Sequence, residues 1–295
     1  MVGRNALRCC LVFVALLGAR SATAGPINFT GNVANDFNPA TNPGVEIITD
    51  SIHQNDPSHL AQPSWMTAAG LVSGWNIKNV ALDYNAATDT MYVGVQTYGV
   101  AGNVDGNGTP GTPDPRLTAA GGTDPANFGG DKAMAVAFAP LTGTFNPSKP
   151  PTPVIVAGVS GDKATQTGPG LDGFNVTKYA GGTTPGTVNL LTGFGKTLTA
   201  GMGNLAFDPS SAHPGFEFTI TNFSKILGAN PANGLVVMTQ DGSVNSVVTG
   251  KDQVVGTYPT NEAQTIPEPT TFLVWMGLAA SAMAWRYRRS RRTFA

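Results

Sequence analysis

The chain is poor in the residues that carry most nucleophilic and metal-centred chemistry. Its cysteines are Cys9 and Cys10 alone, and its three histidines are His53, His59 and His213. The histidines do not form the His-Glu-x-x-His pattern, in which two ligands one helical turn apart bind zinc. We therefore expect no zinc protease, and we interpret the histidines as surface residues.

Charge is also scarce. Charged residues make up 12 % of the 295 positions, about half of the ~25 % usual in soluble domains. The formal net charge of −1 indicates no basic surface for nucleic acid. A hydrophobic content of 41 % argues against full disorder. The 37 glycines and 22 prolines disfavour a helical bundle, because both residues weaken helix interiors.

The first 24 residues have the three parts of a secretory signal. Arg4 and Arg8 precede the apolar run Cys9–Leu17, and the small residues Ala22 and Ala24 flank Thr23. This order predicts a signal peptide over 1–24, cleaved after Ala24; the alternative is a buried N-terminal helix. Cleavage would remove both cysteines, so the mature chain would contain no disulfide and no thiolate ligand.

The C-terminal segment 267–295 has the pattern of a second targeting signal. Pro267, Glu268 and Pro269 precede an uncharged, largely apolar run over 270–285, which is followed by a cluster of arginines. As a helix, this run would reach about 24 Å at 1.5 Å per residue, slightly less than the ~30 Å hydrocarbon core of a bilayer. It predicts a transmembrane helix with a cytoplasmic arginine end. The arginines are Arg286, Arg288, Arg289, Arg291 and Arg292.

The tripartite tail resembles the PEP-CTERM sorting signal. The resemblance rests on Pro267-Glu268-Pro269, the apolar run and the arginine cluster. It implies a bacterium that makes extracellular polysaccharide. It also implies an exosortase, a membrane-embedded cysteine protease, as the partner that cuts near residues 267–269. The alternative is a permanent C-terminal membrane anchor.

Residues 25–255 form the passenger, and 256–266 read as a linker to the tail. Apolar and polar residues alternate in short runs separated by Gly- and Asn-rich turns, which predicts an all-β, jelly-roll-like antiparallel β-sandwich. We expect one helical turn near 224–227. The Pro-rich segment 146–153 is either a domain boundary or a long surface connection. The predicted strands cover 77–84, 91–98, 133–138, 153–159, 172–179, 216–223, 235–239 and 246–249.

The loop over 103–114 is the strongest candidate metal site. Asn103, Asp105, Asn107, Thr109 and Asp114 take positions 1, 3, 5, 7 and 12 of a calcium-binding loop, in which alternate residues supply oxygen ligands. Position 1 is Asn instead of Asp, and position 12 is Asp instead of Glu. The excess of acidic residues in 25–266, 17 against 9 basic ones, suits a weak extracellular calcium site. The alternative is a polar turn that needs no metal.

Two further patterns concern sugars. Glu46 and Glu217 are the pair of carboxylates that a glycosidase would need. Aromatic residues could form a stacking platform for sugar rings, although in a sandwich they more often belong to the core. These aromatic residues are Trp65, Trp75, Tyr84, Tyr92, Tyr98 and Tyr179.

Three strand segments make the passenger resemble the DOMON and carbohydrate-binding sandwich group. They are Val80–Tyr84, Asp89–Val93 and Phe216–Ile220. The resemblance implies sugar or haem binding; because no His or Met placement marks an axial haem ligand, we carry over sugar binding alone. We therefore expect a non-enzymatic protein that is exported, passes through an inner-membrane-anchored intermediate, and reaches the cell surface or extracellular matrix. The alternative is a carbohydrate-binding module or a glycan-acting enzyme.

Overall fold

The computed structural model describes residues 26–49, 66, 68–103, 105, 114–119, 132–159, 174–182, 188–198, 202–206, 215–243 and 252–259. The chain divides into two compact units, 1–259 and 260–295, and all described residues belong to the first. The predicted signal peptide, with Ala22 and Ala24, lies outside the described residues. The predicted sorting tail, with its arginine cluster, lies outside them as well.

The described part of the chain is mostly β, with two antiparallel sheets and few helices, which confirms the all-β prediction. The five-stranded sheet has the order β1-β2-β3-β9-β8, and the six-stranded sheet has the order β11-β10-β4-β5-β6-β7. The strands are β1 (Glu46–Thr49), β2 (Ile77–Asn85), β3 (Thr90–Thr97), β4 (Lys132–Pro140), β5 (Ile155–Val159), β6 (Phe174–Tyr179), β7 (Phe194–Thr197), β8 (Met202–Ala206), β9 (Phe216–Thr221), β10 (Leu235–Ser243) and β11 (Asp252–Tyr258).

Short helices connect the strands. Helix α1 spans Val33–Asp36, α2 spans Pro115–Ala119 and α3 spans Phe223–Leu227. Helix α3 confirms the helical turn predicted near 224–227. It ends at Gly228, whose φ of +74° is a left-handed conformation that glycine adopts without strain.

The main core lies between the two sheets. Alternate residues of the central strands point into it, so Leu82 and Phe218 from one sheet and Phe138 and Val237 from the other are almost fully buried. The Phe138 ring meets the ring of Phe223 edge to face, with centroids 5.0 Å apart. Burying side chains of this size contributes about 1.5–3 kcal/mol each, which supports the fold without disulfides.

Both outer faces of the sheets are also covered. Residues 27–45, including α1, pack on the outer face of the five-stranded sheet against Ala81 and Tyr92. Residues 188–194 and 141–145 pack on the outer face of the six-stranded sheet against Ala137 and Met238. The buried side chain of Gln240 holds the segment 188–194 on this face by accepting the N–H of Leu190 at 2.7 Å.

One edge of the sandwich is closed by side chains of β11. Strand β1 pairs with only Asn79–Leu82 of β2, so the N–H groups of Ile77 and Tyr84 lie outside that pairing. The Asp252 carboxylate accepts the first N–H at 2.7 Å, and the Tyr258 hydroxyl accepts the second at 3.1 Å. Strand β11 therefore satisfies the backbone of the opposite sheet at two points.

Several boundaries differ from the sequence predictions. Strand β11 continues through Tyr258, so Gly256–Tyr258 belong to the sandwich and not to a linker. Strands β4 and β5, which flank the Pro-rich segment, are neighbours in one sheet, so this segment connects strands within the sandwich. Consecutive strands β4 to β7 are also neighbours, as in a meander, which differs from the expected jelly-roll-like order.

Candidate functional site

A groove of about 250 Å³ lies between α1 and the outer face of the five-stranded sheet. Its wall comes from α1 and the residues that follow it, among them Ala34, Phe37 and Pro39. Its floor comes from Ile47 of β1 and Ala81 of β2. No charged residue is among those that line it in the described part of the chain.

The strand register explains which side chains meet on this floor. Directly opposed residues of neighbouring strands share a face. Thr49, Asn79 and Gln96 form one such row across β1, β2 and β3. Ile47, Ala81, Gly94 and Glu217 form the next row, which extends to β9. The first row is polar, and the second row is apolar until it reaches Glu217.

Two amides form the polar end of the floor. The side-chain nitrogen of Asn79 donates a hydrogen bond to the side-chain oxygen of Gln96 over 2.8 Å. Both side chains are partly exposed. The pairing uses one donor and one acceptor, which leaves the Asn79 oxygen and the Gln96 NH₂ group available to a ligand.

The residue in the middle of the floor, Gly94, has no side chain because α1 passes directly over it. A Cβ atom built on Gly94 would lie 2.7 Å from side-chain atoms of both Phe37 and Val33. Glycine at this position lets the wall of the groove approach the sheet. Asn32 caps α1 by accepting the N–H of Asn35 at 3.3 Å, a capping arrangement that stabilises helix N-termini.

Two carboxyl groups fix the segment that forms this wall, Glu217 from the sheet and Asp36 from within the segment. Glu217 is fully buried and accepts the N–H of Gly31 at 3.0 Å, while Asp36 accepts the Thr30 N–H at 2.6 Å. Burial, followed by the nearby charge of Asp36, raises the pKa of Glu217 to about 8. Glu217 therefore keeps its proton at neutral pH, and its Oε1 atom has no hydrogen-bond partner.

A second buried carboxyl lies on the same face. Asp83 is 1 % exposed, and burial raises its pKa to about 6, although the N–H of Tyr84 acts in the opposite direction. Its Oδ1 atom has no hydrogen-bond partner. Asp83 stands directly opposite Tyr92 in the sheet, and the burial of Tyr92 together with the Asp83 charge raises the pKa of that phenol.

The structure brings part of the predicted calcium loop together. Asn103 and Asp105 are fully buried, and the Asp105 carboxylate accepts the N–H of Asp114. Asn107 and Thr109 lie outside the described residues. Within the part of the chain that the structure describes, no group of three or more His, Cys, Asp or Glu residues is gathered around a common point.

Asp114 is already engaged. Its two carboxylate oxygens accept hydrogen bonds from the Arg116 guanidinium at 2.8 and 2.7 Å. One of them also accepts the backbone N–H of Arg116 at the start of α2. The Arg116 side chain and backbone hold the pKa of Asp114 at about 2. Calcium binding through Asp114 would require this ion pair to open, so the calcium site stays a prediction.

The sugar-related residues are dispersed. Glu46 stands opposite Leu82, which faces the core, whereas Glu217 stands opposite Gly94 on the outer face. The two glutamates are on opposite faces of the sheet and three strands apart, about 14 Å at ~4.8 Å per strand. Their register therefore does not form a carboxylate pair.

The aromatic residues do not form one platform. Trp75 and Tyr92 are buried, Tyr84, Tyr98 and Tyr179 are partly exposed in different strands or loops, and Trp65 lies outside the described residues. The three histidines also lie outside them. Among the described aromatics, the core interpretation thus fits Trp75 and Tyr92.

Sequence reasoning missed the groove residues Asn79 and Gln96 and the partner role of Asp36. Alternation alone indicates that Asp83 and Glu217 point away from the core, but it does not show what covers that face. No family model, curated protein or solved structure matches the chain. Within the described residues, no helix is long and apolar enough to cross a membrane.

Proposed function

We propose that the protein is exported and sorted to the cell surface or extracellular matrix, where its sandwich serves a non-catalytic role. One observation carries the proposal: Pro267-Glu268-Pro269, an apolar run and an arginine cluster follow one another in the order of a sorting signal. The proposal includes the signal helix at 1–24, the transmembrane helix at 270–285 and the exosortase as partner.

The fold is compatible with this role. Residues 25–266 contain no cysteine, and the described strands bury their side chains on both the inner and the outer faces of the sheets. Such burial stabilises a chain outside the cell without disulfides. Calcium bound at the 103–114 loop would add to this stability, and it forms part of the proposal.

Mass spectrometry of the terminal peptides of the native exported protein tests the proposal. We expect an N-terminus at Gly25 and a C-terminus near residues 267–269. A variant with alanine at all three positions 267–269 should keep its tail, while the matched change Thr270→Ala should leave processing intact. An intact tail in both chains would indicate a permanent anchor, and a cytosolic location of a reporter fused after residue 266 would overturn export itself.

The groove supports a second candidate function, carbohydrate binding. Its exposed amides and uncharged lining suit a ligand that offers hydroxyl groups, and an extracellular polysaccharide is the ligand that the sorting tail implies. Pull-down of the exported protein with the producing organism's polysaccharide, compared with release by salt alone, separates sugar binding from passive entrapment.

A further inference from the structure

We propose that the groove between α1 and the five-stranded sheet binds one neutral hexose unit of a polysaccharide, with Asn79 and Gln96 as the recognition pair. This inference rests on the second candidate function and assigns it a site and a ligand class. The site comprises the polar row of Asn79 and Gln96 and the apolar row of Ile47 and Ala81, beneath the wall formed by α1.

The amide pair supplies the chemistry that a sugar needs. Because Asn79 donates to Gln96 over 2.8 Å, the Asn79 oxygen is left as an acceptor and the Gln96 NH₂ group as a donor. A sugar hydroxyl both donates and accepts, so two neighbouring hydroxyls can satisfy the two amides at once. The amides therefore favour a ligand that offers hydroxyl groups over one that offers none.

The absence of charge selects the ligand class. Among the described residues that line the groove, none is Asp, Glu, Lys or Arg. A uronate or phosphorylated sugar would lose hydration there without gaining a counter-charge, and such desolvation is costly. A neutral hexose would not incur this cost.

The apolar row completes the match to a sugar ring. Ile47 is 38 % exposed and is the one exposed large hydrophobic side chain in the part of the chain that the structure describes. It lies at the edge of the groove beside the buried Ala81. The C–H groups of a hexose ring can cover Ile47 while its hydroxyls reach the amides. The volume of about 250 Å³ is below the ~300–1,000 Å³ of pockets for drug-sized ligands, which suits a single unit of a longer chain.

The site is rigid before a ligand arrives. Asn79 and Gln96 are cross-strand neighbours in β2 and β3, and Glu217 of β9 holds the segment that leads into α1 by accepting the Gly31 N–H. Recognition groups on paired strands are positioned more firmly than groups on loops. Less conformational freedom is therefore lost on binding.

Isothermal titration of the full chain, in a detergent without a sugar headgroup, tests the inference. The probes are cellohexaose, mannohexaose and isomaltohexaose as neutral ligands, and hexagalacturonate as the charged one. We expect at least one neutral hexaose to bind and the uronate not to bind. Asn79→Ala and Gln96→Ala should each weaken binding by about two- to tenfold, the value of one neutral hydrogen bond.

Two further variants separate the site from general effects. Ala34→Trp places a large ring on the exposed wall of the groove and should abolish binding without touching the amides. Asn35→Ala removes an exposed amide from the same helix, outside the groove, and should bind as the wild type does. Circular dichroism of each variant verifies that it is folded.

The inference is overturned if no neutral hexaose binds, if only the uronate binds, or if the groove variants bind as well as the control. Its failure differs from failure of the proposed export function, because terminal-peptide masses report processing whether or not a sugar binds. Correct processing with no sugar binding would leave a purely structural exported protein.

Discussion

The proton that burial keeps on Glu217 makes the stability of the sandwich depend on pH in a defined direction. The pKa of Glu217 is about 8 in the folded chain and 4.5 in its ordinary state. Between these values the folded chain holds a proton that the unfolded chain has released. The stability that this group contributes is therefore fully present below pH 4.5 and is lost as the pH rises towards 8, by about 1.4 kcal/mol per pH unit.

Glu217→Gln removes this dependence while preserving the contacts. The glutamine oxygen can accept the Gly31 N–H as Glu217 does, and its NH₂ group takes the position of the Oε1 atom, which has no hydrogen-bond partner. Relative to the wild type, the free energy of unfolding of the variant should rise by about 3 kcal/mol between pH 5 and pH 7, two pH units of one lost proton. The variant should be the more stable chain at pH 8.

Urea unfolding followed by tryptophan fluorescence at pH 5, 6, 7 and 8 measures this difference. Glu46→Gln is the matched control, because it makes the same change at a partly exposed position on the edge strand of the same sheet. The pKa of Asp83 also rises on burial, to about 6, but Asp83 is present in both chains and cancels. Parallel pH profiles for wild type and Glu217→Gln would refute a carboxyl held protonated at neutral pH.

Three further changes have expected outcomes in unfolding or thermal-melting measurements. Gly94→Ala should destabilise the fold by about 1–3 kcal/mol, the usual result of overpacking, because α1 passes over this position. Gly182→Ala is the control: its Cβ would meet no atom within 4 Å, so the free energy of unfolding should stay nearly the same. Equal losses of stability in the two variants would contradict the packing of α1 on Gly94. Tyr258→Phe should cost about 1–3 kcal/mol by leaving a backbone N–H of β2 without its acceptor, and an unchanged stability would mean that water replaces the hydroxyl. If calcium binds through Asp114, millimolar calcium should raise the melting temperature above the value measured with a chelator. At ten times Kd the added stability is about 1.4 kcal/mol, and Arg116→Ala should enlarge the shift because it frees the Asp114 carboxylate. No shift in either chain would exclude the calcium site.

Much of the inner architecture could be predicted from alternation. In β9 the residues Phe216, Phe218 and Ile220 are buried in the main core and Glu217 and Thr219 point to the opposite face, as the two-residue period requires. The predicted ranges for β2, β3, β4 and β6 overlap the observed strands because each has such a period bounded by turn residues. The turn after β2 has a local cause as well, since Asn85 accepts the N–H of Ala87 at 3.0 Å.

The edge strands were not predicted, and the reason is physical. Strands β1, β7 and β8 have four or five residues each, and Gly195 interrupts β7 while Gly203 interrupts β8. A strand of that length shows at most two periods, so its hydrophobic pattern is no stronger than that of a loop. What fixes these strands is pairing with a longer neighbour, as for Ile47 opposite Ala81, which depends on residues far away in the chain.

The candidate site escaped prediction for a related reason. A polar residue in an alternating strand predicts a solvent-facing side chain, yet Asp83 and Glu217 are buried. Their face is covered by residues 27–45, a segment with hardly any regular structure and therefore with a weak sequence signal. Polar residues beneath this segment are therefore buried, although the alternation of their strand predicts that they face solvent.

The outer faces of the two sheets differ in how fully they are covered. On the six-stranded sheet, Gln240 and the segment 188–194 leave the outer face packed. On the five-stranded sheet the groove beside α1 leaves Ile47 38 % exposed next to the buried Ala81. This groove is therefore the position where we propose that a neutral hexose unit binds. Burial of the Ile47 side chain on addition of a neutral hexaose, seen as loss of its methyl exposure in NMR, is the direct consequence of that argument, and unchanged exposure would remove its basis.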